Sequence, residues 1–333
     1  MEIGVTVSLV FLVAVALAFD FMNGLHDSAN SIATIVSTRV LKPQYAVLWA
    51  AFFNFAAYFV FGVHVANTVG KGIVDPALVD DSVIFGALMG AIAWNAITWW
   101  GGIPSSSSHA LIGGIVGAGI AKGGFSSIIW SGLSKTIYAI VLSPFTGFVL
   151  ALFMMVLVSW MFVRANPAFA DGVFRKMQLV SAALYSLGHG SNDAQKTAGI
   201  IAVLLYSHGL YAEFTVPGWV ILSCYSVMGL GTLMGGWRIV HTMGSKITRL
   251  TPMQGSCAET AGALTLFMAT YLGIPVSTTH TITSAIVGVG AARRVSAVRW
   301  NIATGIVYAW IVTMPAAAIM ASLFYWLAYV TIG

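Results

Sequence analysis

Two hydroxyl-rich runs hold the most distinctive chemistry in this sequence. Gly102-Ile103-Pro104-Ser105-Ser106-Ser107-Ser108-His109 recurs 171 positions later as Gly273-Ile274-Pro275-Val276-Ser277-Thr278-Thr279-His280, and the 17-residue windows 101–117 and 272–288 are identical at 8 positions. In each copy hydroxyls follow an Ile-Pro step and precede an apolar helical stretch, so Pro104 and Pro275 are expected in a first helical turn. The hydroxyls then crowd a helix N-terminus, where leading N–H groups lack intrahelical partners and the dipole is positive, which suits an oxyanion. Ser105, Ser106, Ser107, Ser108, Ser277, Thr278 and Thr279 are the candidate anion ligands. Ordinary N-caps would also draw on Ser and Thr. Two copies at matching positions of a repeat favour a shared site over two coincidental caps.

A second set of residues puts charge where charge is expensive. Asp20, Asp27, Asp193, Lys196 and Glu259 lie inside apolar segments, so each needs a partner or a function. The islands around Asp27 and Asp193 align at Gly24/Gly190 and Asp27/Asp193 with an offset of 166. Asp27 and Asp193, with Asn23, Asn30, Asn192, Glu259 and backbone carbonyls, offer oxygen ligands suited to a hard cation such as Na⁺. The structural alternative for these carboxylates is an ion pair or a helix cap. Gln195 and Lys196 are assigned to the anion, with a Lys196–Asp193 pair as the alternative for Lys196. His26, His109, His189 and His280 flank the motifs and are expected to hold them by hydrogen bonds, proton transfer being the other role open to histidine. No tight His/Cys cluster marks a metal centre, and no cofactor is implied beyond the cation at Asp27 and Asp193. A Ser-His hydrolase fits poorly, because Ser108 and His109 are adjacent and would point to different helix faces. Neither a Gly-x-Ser-x-Gly elbow nor a P-loop is present.

The elements that must position these residues are membrane helices. Of 333 residues, 59% are hydrophobic and only 8% charged, where soluble proteins carry roughly a quarter charged. The apolar runs are long enough to span as helices, so the class is all-α and polytopic, a multi-pass protein of the cell (inner) membrane. The net charge of +5 sits at segment ends and does not imply nucleic acid. Run 5–19 lacks a basic leader and a small-residue cleavage pattern, so it reads as a first span. Cys224 and Cys257 lie in apolar runs and read as buried small residues. One straight helix over 9–40 would be about 48 Å long against a hydrocarbon core of about 30 Å, which predicts a break near Gly24. The stretch 44–65 reads as an uninterrupted span. Segments 82–100 with 105–121, and 253–273 with 275–291, flank the hydroxyl runs, and the last stretch of each half should bend at Pro144 or Pro315. The segment 164–176 reads as a cytoplasmic linker between membrane repeats 1–163 and 177–333.

Charge then sets orientation. Arg39/Lys42, the linker, Arg238/Lys246/Arg249 and Arg293/Arg294/Arg299 should be cytoplasmic, with the acidic loop Asp75 to Asp81 and both termini extracytoplasmic. Equivalent loops fall on opposite sides, as an inverted-topology repeat requires, and the hydroxyl-bearing segments become two re-entrant hairpins whose tips meet within the membrane.

Gly-Leu-His-Asp-Ser-Ala-Asn at 24–30 and Gly-Ser-Asn-Asp-Ala-Gln-Lys at 190–196 resemble the paired signature of the inorganic phosphate transporter (PiT) family, usually Gly-Ala-Asn-Asp-Val-Ala-Asn. The repeated Ile-Pro-hydroxyl-His element is similar to that family's hairpin, and the likeness runs nearly end to end. It implies secondary uptake of phosphate with Na⁺ or H⁺ by alternating access, the substrate sometimes a metal-phosphate complex, in an inverted-repeat fold with broken helices that is commonly a homodimer. His26 stands for the signature's first Asn and Gln195-Lys196 for its second Ala-Asn, as expected of the bacterial low-affinity branch, and the coupling ion stays open between Na⁺ and H⁺. The alternatives are transport of another tetrahedral oxyanion such as sulfate, a passive channel, and a membrane-embedded hydrolase.

Overall fold

A computed structural model describes residues 2–75 and 78–332. The chain ends and positions 76–77 of the acidic loop, on which the orientation reading partly rests, lie outside the described residues. Among the described residues the chain is helical, apart from loops and one isolated antiparallel bridge between Val74 and Ile128. Among the described residues five helices are long and apolar enough to cross a membrane, or seven if each of two bent helix pairs is one span.

The first helix, α1 (Glu2–Ser37), is continuous, contrary to the break expected near Gly24. Gly24 makes a close approach instead. Its bare Cα faces the backbone of Met228 on α8 (Gly218–Met234), where any Cβ would collide with the carbonyl. Membrane helices pack through small residues in this way because lipid supplies no hydrophobic drive for association. The polar side chains of α1 find partners on other helices, so its backbone need not open. The same is true of α7 (Pro167–Ser207), which is also unbroken. It starts behind an N-cap at Asn166, whose side chain accepts from Ala168 N, so most of the expected linker 164–176 is the first part of this helix.

The breaks lie in the second spans. The stretch 44–65, expected to be uninterrupted, divides into α2 (Pro43–Ala56) and α3 (His64–Lys71), bent by 86°. Helix α8 and α9 (Trp237–His241) are bent by 65°. Each corner is held by the long helix of the opposite half. Gln195 Oε1 on α7 accepts from Val65 N at 3.0 Å at the start of α3, and Ser28 Oγ on α1 accepts from Gly236 N at 2.5 Å just before α9. These side chains satisfy helix-start N–H groups that the bend would otherwise orphan.

The remaining helices are α4 (Asp81–Gly101), α5 (Ser107–Gly123), α6 (Trp130–Met161), α10 (Pro252–Tyr271), α11 (Thr278–Arg293) and α12 (Trp300–Ile332). Pro144 and Pro315 sit inside α6 and α12, and helix continues on both sides of each. The halves interleave, with α5 packing on α12 of the second half and α11 on α6 of the first. Cys224 and Cys257 are buried free thiols.

Candidate functional site

Both hydroxyl runs begin at a glycine that ends the preceding helix. Gly102 (φ 63°) and Gly273 (φ 67°) adopt the left-handed conformation that only glycine takes without strain. Equivalent bonds close the two turns, Ile103 N to Thr98 O at 2.9 Å and Ile274 N to Ala269 O at 2.8 Å. Pro104 and Pro275 lie in the loops before the helices, not in their first turns. The N-caps are Ser106 and Ser277, whose side chains accept from His109 N at 3.2 Å and His280 N at 3.1 Å. The capping reading therefore holds for these two, and the neighbouring hydroxyls are left for other partners.

Those partners are the two carboxylates. Ser107 Oγ donates to Asp27 Oδ1 at 3.0 Å, and Thr279 Oγ1 lies 3.4 Å from Asp27 Oδ2. Ser108 Oγ lies 3.5 Å from Asp193 Oδ1, and Thr278 Oγ1 donates to Asp193 Oδ2 at 3.0 Å. Each aspartate is thus met by one residue from each tip. Donor atoms of Asp27, His189 and Asp193 lie within 4.8 Å of one another. Asn30 Nδ2 donates to Thr279 Oγ1 at 2.9 Å and Thr278 Oγ1 at 3.2 Å, joining α1 to the second tip. All these side chains are buried. The tips also touch each other, since His109 and His280 meet edge to face with ring centroids 4.2 Å apart. The open end of the first hairpin closes on itself where Lys122 meets Asp80 at 2.5 Å.

Lys196 Nζ binds Ser108 Oγ and Asp193 Oδ1, both at 2.5 Å, and Val276 O at 2.7 Å. His189 Nε2 is 3.2 Å from Asp193 Oδ2, with Nδ1 3.1 Å from Asn54 Oδ1. His26 Nδ1 is 2.6 Å from Asp27 Oδ1, and its Nε2 is 3.0 Å from Thr98 Oγ1, which also accepts from Ser105 Oγ at 2.9 Å. His26 and His189 thus each set a ring nitrogen against a carboxylate, His189 Nε2 at ion-pair distance but without hydrogen-bond geometry. His109 and His280 do not serve through ring hydrogen bonds: both ring nitrogens of His109 and Nε2 of His280 are buried without partners, and His280 stacks on Trp310 at 3.8 Å. They pack the tips together as flat rings.

Three further assignments change. Gln195, expected at the anion, faces α3 with its carbonyl. Glu259, expected at the cation, belongs to a different polar cluster with Thr34, Gln178 and Ser181. Asn192 ties down the loop before the second tip, accepting from Val276 N at 3.2 Å and donating to Thr270 Oγ1 and Ile274 O. Asn23 is buried one turn before Asp27, its Oδ1 unpartnered. Thr98, Asn54 and Trp310 were not picked out from the sequence, and Ser28, although inside the signature at 24–30, was given no role; Thr98 stands four residues before Gly102. Glu259→Gln puts an amide N–H₂ against groups that now donate to a carboxylate, which should lower stability by about 1–3 kcal/mol. Thermal unfolding of the purified protein in detergent measures this.

The profile of the phosphate transporter family matches residues 23–321. A probable low-affinity inorganic phosphate transporter of Rhizobium meliloti (strain 1021) is 70% identical over 321 residues, 96% of each chain. A protein of the same description from Bacillus subtilis (strain 168) is 46% identical over 321 residues, again 96% of each chain. Among solved structures, one described as the sodium-dependent phosphate transporter superposes with a TM-score of 0.89 at 26% identity, covering 98% of this chain and all of the other.

Proposed function

The chain belongs to the phosphate transporter family, and from that premise we propose that it carries inorganic phosphate across the membrane together with a cation, the two bound side by side where the tips meet Asp27 and Asp193. The observation that carries this reading is that each carboxylate is shared between both tips. Phosphate alone would be repelled there. Two unit charges 4 Å apart interact by about 4 kcal/mol at an effective dielectric near 20, close to a thousandfold in affinity, so a cation at Asp27 offsets most of the penalty for an anion beside it. Cation and anion then bind with positive coupling, which is reciprocal by linkage.

The same carboxylates favour phosphate over sulfate. A carboxylate only accepts hydrogen bonds, and phosphate near neutral pH keeps an O–H to donate while sulfate has none. Sulfate would set lone pairs against lone pairs, the kind of mismatch that discriminates strongly in a buried polar site.

Two cavities support an alternating path. One of about 470 Å³ borders Thr68, Thr136 and the Gly273 to Pro275 loop; the other, of about 390 Å³, borders Gly102, Trp237, Arg238, His241 and Lys246. Each borders the turn that precedes one hydroxyl run, beside one bent helix, α3 or α9. In this reading the halves are inverted repeats, both termini are extracytoplasmic, and the basic second cavity opens to the cytoplasm. Purified protein in liposomes should take up labelled phosphate only down an inward Na⁺ or proton gradient, and a large excess of sulfate should not compete. Equal inhibition by sulfate would replace phosphate with a general oxyanion; uptake indifferent to both gradients would make the protein a passive pore.

A further inference from the structure

Polar side chains on the two long helices form matching stripes. On α1 they are Asp20, Asn23, Asp27 and Asn30, spaced 3, 4 and 3 residues apart, so all fall on one helix face. The offset of 166 maps them onto Ser186, His189, Asp193 and Lys196 of α7. The spacing is the same but the charge differs. The α1 stripe has two carboxylates and two neutral amides; the α7 stripe has one carboxylate and an ammonium.

An ammonium has three N–H donors. Those of Lys196 are engaged by a carboxylate oxygen, a hydroxyl and a backbone carbonyl, leaving none for a substrate oxygen. Carboxylate, hydroxyl and carbonyl oxygens drawn from separate elements are the donor set of a hard-cation site. At the matching position of α1, Asn30 brings no charge, and one oxygen each of Asp20, Asn23 and Asn30 is buried without a hydrogen-bond partner.

From this contrast, and resting on the transport reading above, we infer that Lys196 is a built-in cation. It fills the position of one coupling ion at Asp193, so the cation that travels with phosphate binds only along the α1 stripe, at Asp27 and the unpartnered oxygens of Asn23 and Asn30. The permanent charge keeps Asp193 compensated throughout the cycle, while Asp27 depends on an ion drawn from solution. Lys196 is then not a phosphate ligand.

The test is the number of cations moved per phosphate. It is read in proteoliposomes, with the membrane potential clamped at zero, as the cation gradient that halts net movement of labelled phosphate. Lys196→Asn copies the α1 chemistry onto α7 and should raise that number by one relative to the parent protein, with a steeper dependence of uptake on cation concentration. An unchanged number in an active Lys196→Asn protein overturns the inference, as does a raised half-saturation for phosphate with no change in cation dependence, the mark of a lost substrate ligand. If Lys196→Asn does not fold, Lys196→Gln keeps most of the length of the side chain without its charge, leaves Asp193 in place and should likewise raise the number by one. An unchanged number in an active Lys196→Gln protein also overturns it. Failure of the parent protein to move phosphate under either gradient would instead defeat the transport reading itself.

Discussion

Asp27→Asn should reduce gradient-driven phosphate uptake by at least about a hundredfold while the protein still folds and inserts. The substitution keeps the shape of the side chain, so Ser107 and Thr279 retain a neighbour on α1. It removes the charge that would draw a cation into the site. Losing one partner of a buried charge pair costs about 3–5 kcal/mol, and each 1.4 kcal/mol is a factor of ten in affinity. The loss should appear as a weakened response to the driving cation, with exchange of phosphate across the membrane in the absence of a gradient reduced along with it, because the anion then lacks its neutralising neighbour. Uptake rates in reconstituted protein, with monodispersity as the folding control, measure this directly. Asp27→Asn protein that concentrates phosphate normally would show that the α1 carboxylate has no part in coupling.

Gly24→Leu should do its damage to folding. A side chain at Gly24 would run into the Met228 carbonyl, and a packed helix pair can relieve that only by separating. Overpacking against backbone costs about 3 kcal/mol or more, a large part of a total stability of roughly 5–15 kcal/mol. Gly305→Leu is the control, since nothing lies within 4 Å of a Cβ there. Thermal unfolding in detergent should show Gly24→Leu far less stable than the parent and Gly305→Leu nearly unaffected. Equal stability of the two variants would mean that α1 and α8 do not cross at Gly24.

The convergence of the tips on Asp27 and Asp193 was legible in the sequence because each component was written twice. Repeated hydroxyls after Ile-Pro and repeated carboxylates at one offset needed only a common meeting place. The break in α1 was misplaced because length against bilayer thickness was the sole guide, and a tilted or protruding helix escapes that limit. The breaks in fact fall at 60–63 and 235–236, where Gly62, Gly235 and Gly236 mark them with no polar island to draw notice. Gln195 was assigned with its neighbour Lys196, and Glu259 because it is a charge inside an apolar segment. A helix sends neighbouring residues in different directions, and Gln195 turns to α3 while Lys196 turns to the tips. His109 and His280 were expected to hydrogen-bond. That they meet ring to ring follows from a contact between halves, which no single segment encodes.

The most direct test of the central claim uses arsenate, a tetrahedral oxyanion with phosphate-like charge and a strong anomalous signal. Diffraction from crystals grown with arsenate and the driving cation should show one anomalous peak per protomer between the two tips, within hydrogen-bonding reach of hydroxyls from both 105–108 and 277–279 and beside Asp27. A peak bound by one tip alone, or at a site away from Asp27 and Asp193, would contradict the account.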